Sequence, residues 1–366
     1  MSIVFALYGL KSRMDSGASG GHISNVAAII ECARIVPVTV IAPGISEVTK
    51  ELLVRAEVAV VTSPFQESGL RERFRRRRWI KARLSELISR GGVFRVVSSA
   101  GTADIARALC SRYADVQAVV LVRAFEDMFY TKHSHSLRAI LKGLLFDALT
   151  MFTVSRAYQS AALIITNSKF MCDQVQSYFN VSSERIKILY PPIFVNKSEY
   201  RRPGNNPIIG IVNPSKMKGE GIFLQLAKAE PNQKFIYFSR DNKRYALSNV
   251  EYGGWASSAN ELFGAMDLLI VPSVWSEPFG RIAPEAISSG LPVLVSDKGG
   301  LPETVDPFFH VSGEGLGPWR EALQRIIDSP DASERAWLKS RSMLENFSEE
   351  SHCMKIEEIF GLNCRD

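Results

Sequence analysis

Two glutamates stand eight positions apart in the stretch EPFGRIAPE, residues 277–285, with Phe279, Gly280, Arg281 and Ile282 between them. The apolar run DLLIVPS (267–273) ends just before it. Pro284 suits the first turn of a helix, where its missing N–H costs nothing, and Gly290 suits a helix end. The spacing predicts strand, loop and helix, with Glu277 in the loop and Glu285 in the first helical turn. A helix start offers unpaired N–H groups and a partial positive charge to a phosphate. Gly280 lets backbone come close, and Arg281 has the planar donor geometry that phosphate oxygens fit. Carboxylates in such a place accept hydrogen bonds from hydroxyls instead. A pair of them suits two polyols flanking a diphosphate, which is the shape of a nucleotide sugar. The plainer alternative is that Glu285 only complements the helix dipole and the spacing arose by chance.

Residues of this kind need a sheet edge to hold them. Short β-branched runs at 3–8, 38–42, 58–62, 94–99, 118–122, 163–168 and 186–191 alternate with stretches long enough for helices. After a Pro/Asn/Gly-rich interval the same rhythm restarts with IIGIVN (208–213), KFIYFS (234–239), DLLIVPS and PVLVSD (292–297). Runs without polar alternation, joined by helices, predict parallel sheets covered on both faces. The expected fold class is α/β, with two doubly wound, Rossmann-like domains facing across a cleft. The expected boundaries are 1–195, a linker at 196–207, a second domain at 208–345, and a helical tail at 346–366 that packs back on the first domain. Such sheets bind ligands beyond the carboxyl ends of their strands, so the chemistry belongs in the loops that follow strands.

A chain of 366 residues, 46% hydrophobic and 22% charged, is long enough for two cored domains and reads as globular. No apolar run approaches the roughly 20 residues of a spanning helix. The N-terminus lacks a basic leader and a small-residue cleavage site and reads as a first strand. Five scattered cysteines (Cys32, Cys110, Cys172, Cys353 and Cys364) without a CxxC pair argue against a disulfide framework or a zinc site and suit a reducing cytoplasm.

The charge is concentrated. Residues 69–90 hold nine Arg or Lys and two Glu, a net of +7 against +6 for the whole chain, so the remainder carries −1. Such a patch signals an anionic partner. Phe74, Trp79, Ile80, Leu84, Leu87 and Ile88 interleave as an apolar stripe. Arg75, Arg76, Arg77, Arg78, Trp79 and Lys81 are therefore read as contacts to an anionic membrane surface. A second apolar segment, 137–152, either assists or lies buried. Two aromatics and no recognised motif argue against nucleic acid; a merely solvated helix is the remaining alternative.

The stretch LLIVPSVWSEPFGRIAPEAISSGLPVLVSDKGGLPETV (268–305) resembles the signature of the retaining glycosyltransferases of family 4, which have the GT-B fold. It joins P-S-x-W-x-E-P-F-G-R, a second Glu followed by Ala, S-G-L-P-V and G-G-L-P-E. TNSKF (166–170), LYPP (189–192) and the early Gly20-Gly21 agree more loosely. The resemblance implies that Glu285 binds the nucleotide ribose, that Glu277 lies at the transferred sugar, and that the loop Phe279–Ile282 supplies backbone donors. It implies a phosphate clamp at VNPSKMKG (212–219). There Lys218 matches, while Asn213 stands where an Arg is usual; Arg281 or Lys216 would have to compensate. Gly20 and Gly21, opening a helix after the first strand, would approach the diphosphate and sugar, with His22 beside them. Relatives carry a His near the reacting sugar; here Arg123, Glu126 and Asp127 occupy that loop. Asp127 is the candidate to orient or deprotonate the acceptor, with a plain surface carboxylate as the alternative; His133 and His135 follow as loop residues. Nucleobase contacts would fall near Ser239-Arg240 and Gly254-Trp255.

The implied reaction moves a hexose-type sugar, with retention, to a glycan or lipid-linked acceptor in polysaccharide or lipopolysaccharide synthesis. The enzyme would work in the cytoplasm on the inner face of the membrane. Lys218, Arg281 and the helix start would stabilise the departing diphosphate, and the absence of a DxD motif argues for no metal and no other cofactor. A sugar-nucleotide epimerase of the same fold and a non-catalytic nucleotide-sugar-binding protein are the competing readings.

Overall fold

In β1 (Ser2–Ala6) the side chains of Ile3 and Phe5 enter one core and those of Val4 and Ala6 another, which is why the run shows no polar alternation. Ile3 and Phe5 pack with Val26, Ile29 and Cys32 of the helix Gly20–Ala33. On the opposite face Val4 and Ala6 meet Ile80, Leu84 and Ile88 of the helix Leu70–Ser89, with Ile105 and Leu109 of the helix Ala100–Cys110. The computed structural model describes the chain apart from residues 13–14, 16–19, 64–69, 129–151, 197, 242 and 363–366. The segment 137–151, the histidines His133 and His135, Cys364 and residues 16–19 of the glycine-rich stretch thus lie outside the described residues.

The chain forms two units, Met1–Pro191 with His352–Asp366, and Pro192–Ser351. Besides β1, the first contains β2 (Gly9–Leu10), β3 (Val38–Ile41), β4 (Gly44–Ile45), β5 (Ala59–Val61), β6 (Phe94–Ser98), β7 (Val116–Val122), β8 (Leu163–Thr166) and β9 (Ile186–Ile188). Its main sheet has the order β5-β3-β1-β6-β7-β8-β9, with every pairing parallel. The second unit contains β10 (Ile209–Val212), β11 (Phe235–Phe238), β12 (Val250–Tyr252), β13 (Leu268–Val271), β14 (Val293–Ser296) and β15 (His310–Val311), ordered β12-β11-β10-β13-β14-β15 and again parallel. Its strand order reverses at β10, where Ile209 registers with Phe235 on one side and Leu268 on the other. The loops after β10 and β13 therefore emerge side by side at the switch point. Four strands are too short to register as apolar runs: β12, β15, and the separate parallel pair β2 and β4.

Three expectations need correction. The stretch 196–207 is a docked strap, not a free linker. Asn196 N donates to Ser288 Oγ at 2.7 Å, Arg201 N to the Gly290 carbonyl at 2.8 Å, and Tyr200 Oη to Ser333 Oγ at 2.7 Å, all within the second unit. The tail expected at 346–366 joins the first unit only from His352 on, because the division falls at Ser351/His352 within the helix Glu349–Phe360, whose Ile356 and Phe360 enter the core with Ile3 and Phe5. Finally, the apolar stripe of the arginine helix is the face that seats it on the sheet. Ile80, Leu84 and Ile88 are buried, and Trp79 and Leu87 pack against the same core. Arg76 pairs with Glu72 at 3.4 Å, while Arg77 bonds Asp104 and the Gly101 carbonyl. Arg75, Arg78 and Lys81 remain exposed, with Phe74 at 68%. Among the described residues no helix is long and apolar enough to cross a membrane.

Leu84→Ala should lower the unfolding free energy by about 2–5 kcal/mol in urea titration. Arg75→Ala and Arg78→Ala should each change it by less than about 0.5 kcal/mol. Equal effects from all three would contradict the seating of this helix.

Candidate functional site

Past β13 the chain runs Pro272-Ser273-Val274-Trp275-Ser276-Glu277, and three of these side chains converge. The Glu277 carboxylate is buried, 7% exposed; its Oε1 accepts from Ser273 Oγ at 3.0 Å and Trp275 Nε1 at 3.1 Å. Lys218 Nζ, from the loop after β10, lies 3.3 Å from the same oxygen. A buried carboxylate needs such partners, since an unpaired one would cost several kcal/mol. Ser273 and Trp275 were not singled out from the sequence. Their spacing of four and two residues before Glu277 was the available signal.

Backbone contacts set this geometry from two sides. Gly219 has φ +77°, and a Cβ there would lie 1.9 Å from the Pro272 carbonyl oxygen, so the Lys-Gly pair brings the loop after β10 hard against the end of β13. After β14, Gly299 (φ +65°) pairs with Glu277 in a single parallel bridge, and its Cβ would lie 2.2 Å from the Glu277 carbonyl oxygen. Gly300 N donates to that oxygen at 2.7 Å. Glu277 is thus positioned from β10, β13 and β14 together.

Glu285 lies in the helix Ile282–Ser288, where its Oε1 accepts from Arg281 Nη2 at 3.2 Å. The Arg281 side chain is 13% exposed and its Nη1 has no hydrogen-bond partner among the described residues. Between the glutamates, the Phe279 side chain is buried edge-to-face against Phe347, 5.2 Å between centroids, so only the backbone of that residue is left to meet a ligand. Gly280 and Ile282 are half-buried beside it. Asn213 has φ +50°, a left-handed conformation that Asn adopts more readily than Arg; this is a backbone reason for Asn where the resemblance implied an Arg. Its N–H donates to the Phe238 carbonyl at 2.7 Å, and its side chain and that of Lys216 are exposed. Among the described residues no three His, Cys, Asp or Glu side chains group as metal ligands.

In the first unit, Gly20 and Gly21 are the first two residues of their helix. In the next position His22 is half-buried, and burial first, then the charge of Lys11, hold its imidazole below the usual value. Asp127 is a brace: its Oδ2 accepts from the backbone N–H of Arg123 at 2.8 Å and of Ala124 at 3.2 Å, fixing the loop after β7. This bracing is a structural duty; the expected part in orienting or deprotonating an acceptor is a separate proposal. Arg123, expected in the same loop, is the hub beside Asp127. Buried at 4% exposure, it bonds Asn25 Oδ1 at 3.3 Å and the Leu189 carbonyl at 2.8 Å, while its own carbonyl accepts from Asn167 Nδ2 at 2.7 Å. Burial pulls its guanidinium down to about 10, with Asp127 opposing. Asn167, within TNSKF, was the sequence trace of this hub.

Two family models match the chain, "Glycosyltransferase Family 4" over residues 32–197 and "Glycosyl transferases group 1" over residues 230–337. Over 103 residues it is 32% identical to D-inositol 3-phosphate glycosyltransferase of Corynebacterium diphtheriae, covering 27% of this chain and 24% of that one. The match thus spans about a quarter of that relative's length. Among solved structures, Anabaena HepE in complex with UDP is similar with a TM-score of 0.72 at 15% identity, over 99% of this chain and 100% of that one. WaaG, a glycosyltransferase involved in lipopolysaccharide biosynthesis, is similar with a TM-score of 0.64 at 16% identity, over 98% and 100%. These likenesses show the fold: both sheets belong to the GT-B class.

Gly299→Ala should destabilise the second unit by about 1–3 kcal/mol and shift the indole N–H resonance of Trp275, which reports the hydrogen bond to Glu277. Gly204→Ala, with nothing within 4 Å, should do neither. An unmoved Trp275 resonance in Gly299→Ala would contradict the positioning of Glu277 by the glycine.

Proposed function

This chain belongs to glycosyltransferase family 4, and we propose that it moves a hexose-type sugar from a nucleotide diphosphate sugar to a glycan or lipid-linked acceptor, with retention of configuration. The observation that carries this reading is the pairing of Lys218 with Glu277 and of Arg281 with Glu285, in the loop after β10 and in the loop and helix after β13, the strands that flank the switch point. In this reading Glu285 takes the ribose hydroxyls, Glu277 the hydroxyls of the transferred sugar, and Lys218 and Arg281 the diphosphate. Anabaena HepE, solved with UDP-glucose, has the same fold and supports a nucleotide-sugar donor.

The bond from the anomeric carbon to the diphosphate oxygen breaks as the acceptor oxygen approaches the same face, through an oxocarbenium-like state. The acceptor proton passes to an oxygen of the departing diphosphate. Since no protein base is needed on the opposite face, catalysis rests on stabilising the leaving charge, which Lys218 and Arg281 do from fixed positions. These two cations take the part that a metal plays in other transferases, and chelation with EDTA should leave the rate unchanged; restoration of a lost rate by a divalent ion would refute this.

Glu285→Ala should raise the donor KM about tenfold, the loss expected when hydrogen bonds to a charged group are removed. Glu277→Ala should lower kcat about 100-fold. Both are read by acceptor-dependent release of nucleoside diphosphate, and undiminished activity in the two variants would remove this site.

In this reading the acceptor belongs to cell-surface polysaccharide or lipopolysaccharide synthesis, the latter being the pathway of WaaG, which shares the fold. The enzyme works in the cytoplasm on the inner face of the membrane. After the burial of its apolar stripe, the arginine helix would meet anionic lipid through Arg75, Arg78, Lys81 and the exposed Phe74. Sedimentation with phosphatidylglycerol vesicles should be lost on combining Arg75→Glu, Arg78→Glu and Lys81→Glu. Binding that survives those changes would refute the surface assignment.

A further inference from the structure

Three donors crowd one carboxylate oxygen at the end of β13. Ser273 Oγ stands 3.0 Å from Glu277 Oε1, Trp275 Nε1 3.1 Å and Lys218 Nζ 3.3 Å. A carboxylate oxygen offers about two lone-pair positions, so this one is oversubscribed. Of the three the ammonium is held most loosely, beyond the roughly 2.7–2.9 Å of a charge-assisted bond. Its backbone is pinned: Lys218 N donates to the Ser215 carbonyl at 3.0 Å, and the Met217 carbonyl before it accepts from Val274 N at 2.9 Å. The Lys218 side chain, in contrast, is 43% exposed on a flexible four-carbon stem, whereas Ser273 is buried and Trp275 half-buried. The ammonium can therefore turn to another anion while the hydroxyl and the indole stay.

We infer that Ser273 and Trp275 are positioning residues that release Lys218 to the diphosphate. The inference rests on the donor site proposed above and adds to it how the lysine of that site becomes available. Lys218 cannot serve the carboxylate and a leaving diphosphate at full strength together. Were it the sole partner of Glu277, its departure would leave a buried carboxylate bare, a cost that would count against binding. With Ser273 and Trp275 in place the carboxylate keeps two hydrogen bonds, and the ammonium moves at little cost. When the product leaves, Oε1 takes the ammonium back. Removal of either neutral donor thus tightens the Lys218–Glu277 pair and weakens diphosphate binding through Lys218.

Isothermal titration of the full chain with inorganic pyrophosphate, a diphosphate without base or sugar, tests this. Trp275→Phe and Ser273→Ala should each weaken its binding about tenfold, the worth of a hydrogen bond to a charged group. Adding Glu277→Gln to either should restore binding, because a neutral amide no longer holds the ammonium. A merely structural defect would not be cured by a second change. Binding unmoved in Trp275→Phe and Ser273→Ala, or weakened and not restored by Glu277→Gln, overturns the release of Lys218. Lys218→Met separates the two levels. If it weakens pyrophosphate binding while the Trp275 and Ser273 variants do not, only this inference falls; if it too has no effect, the donor site falls with it.

Discussion

The approach of Gly219 to the carbonyl of Pro272 is a contact between two backbones with no room for a side chain. Everything at the candidate site depends on it. It lets the loop after β10 lie against the end of β13, and only then does the Lys218 ammonium come within 3.3 Å of Glu277. Gly299 repeats the device from β14 on the other flank. Because three strands fix one carboxylate, its position does not have to be found when a ligand arrives, and little ordering entropy is lost at that moment.

The same arrangement pairs the site's charges in advance, Lys218 with Glu277 and Arg281 with Glu285. A diphosphate sugar would bring anions for the two cations and hydroxyls for the two carboxylates, so binding exchanges one set of charge-assisted contacts for another. The first unit uses a related principle with the opposite charge. There the buried Arg123 ties the loop after β7 to Asn25 and Leu189, and Asp127 braces its backbone. In both units a polar side chain at the carboxyl edge holds neighbouring segments in register, and the sheets supply the rigid edge from which it works.

The long strands were legible because each buries two faces and reads as an unbroken apolar run; β12 and β15, of three and two residues, carry too little apolar pattern to be seen. Glu277 and Glu285 were legible through their spacing, and the structure places each against a cation. Ser273 and Trp275 were visible as letters of a motif, but their task, holding one carboxylate oxygen, appears only when the loop is folded. The arginine helix misled for a physical reason. An amphipathic stripe has the same spacing whether it meets lipid or a sheet, and only the packing of Ile80, Leu84 and Ile88 under β1 tells the two apart. Asn213 could be read as a lost arginine; its left-handed backbone supplies the cause.

The route of the chain has a consequence for how the molecule comes into being. The first unit is discontinuous, Met1–Pro191 with His352–Asp366, and its core takes Ile356 and Phe360 from beyond the second unit alongside Ile3 and Phe5. Entry to and exit from the second unit lie together, where Ile193 N bonds the Phe347 carbonyl at 2.7 Å. On the ribosome, then, the stretch up to Pro191 must wait for the helix Glu349–Phe360 before its core can close, while the unit threaded between them already has all of its own sequence. Of these two units, the one whose strands are made earlier is the one whose core closes later, an inversion of the usual amino-terminal-first order of domain folding.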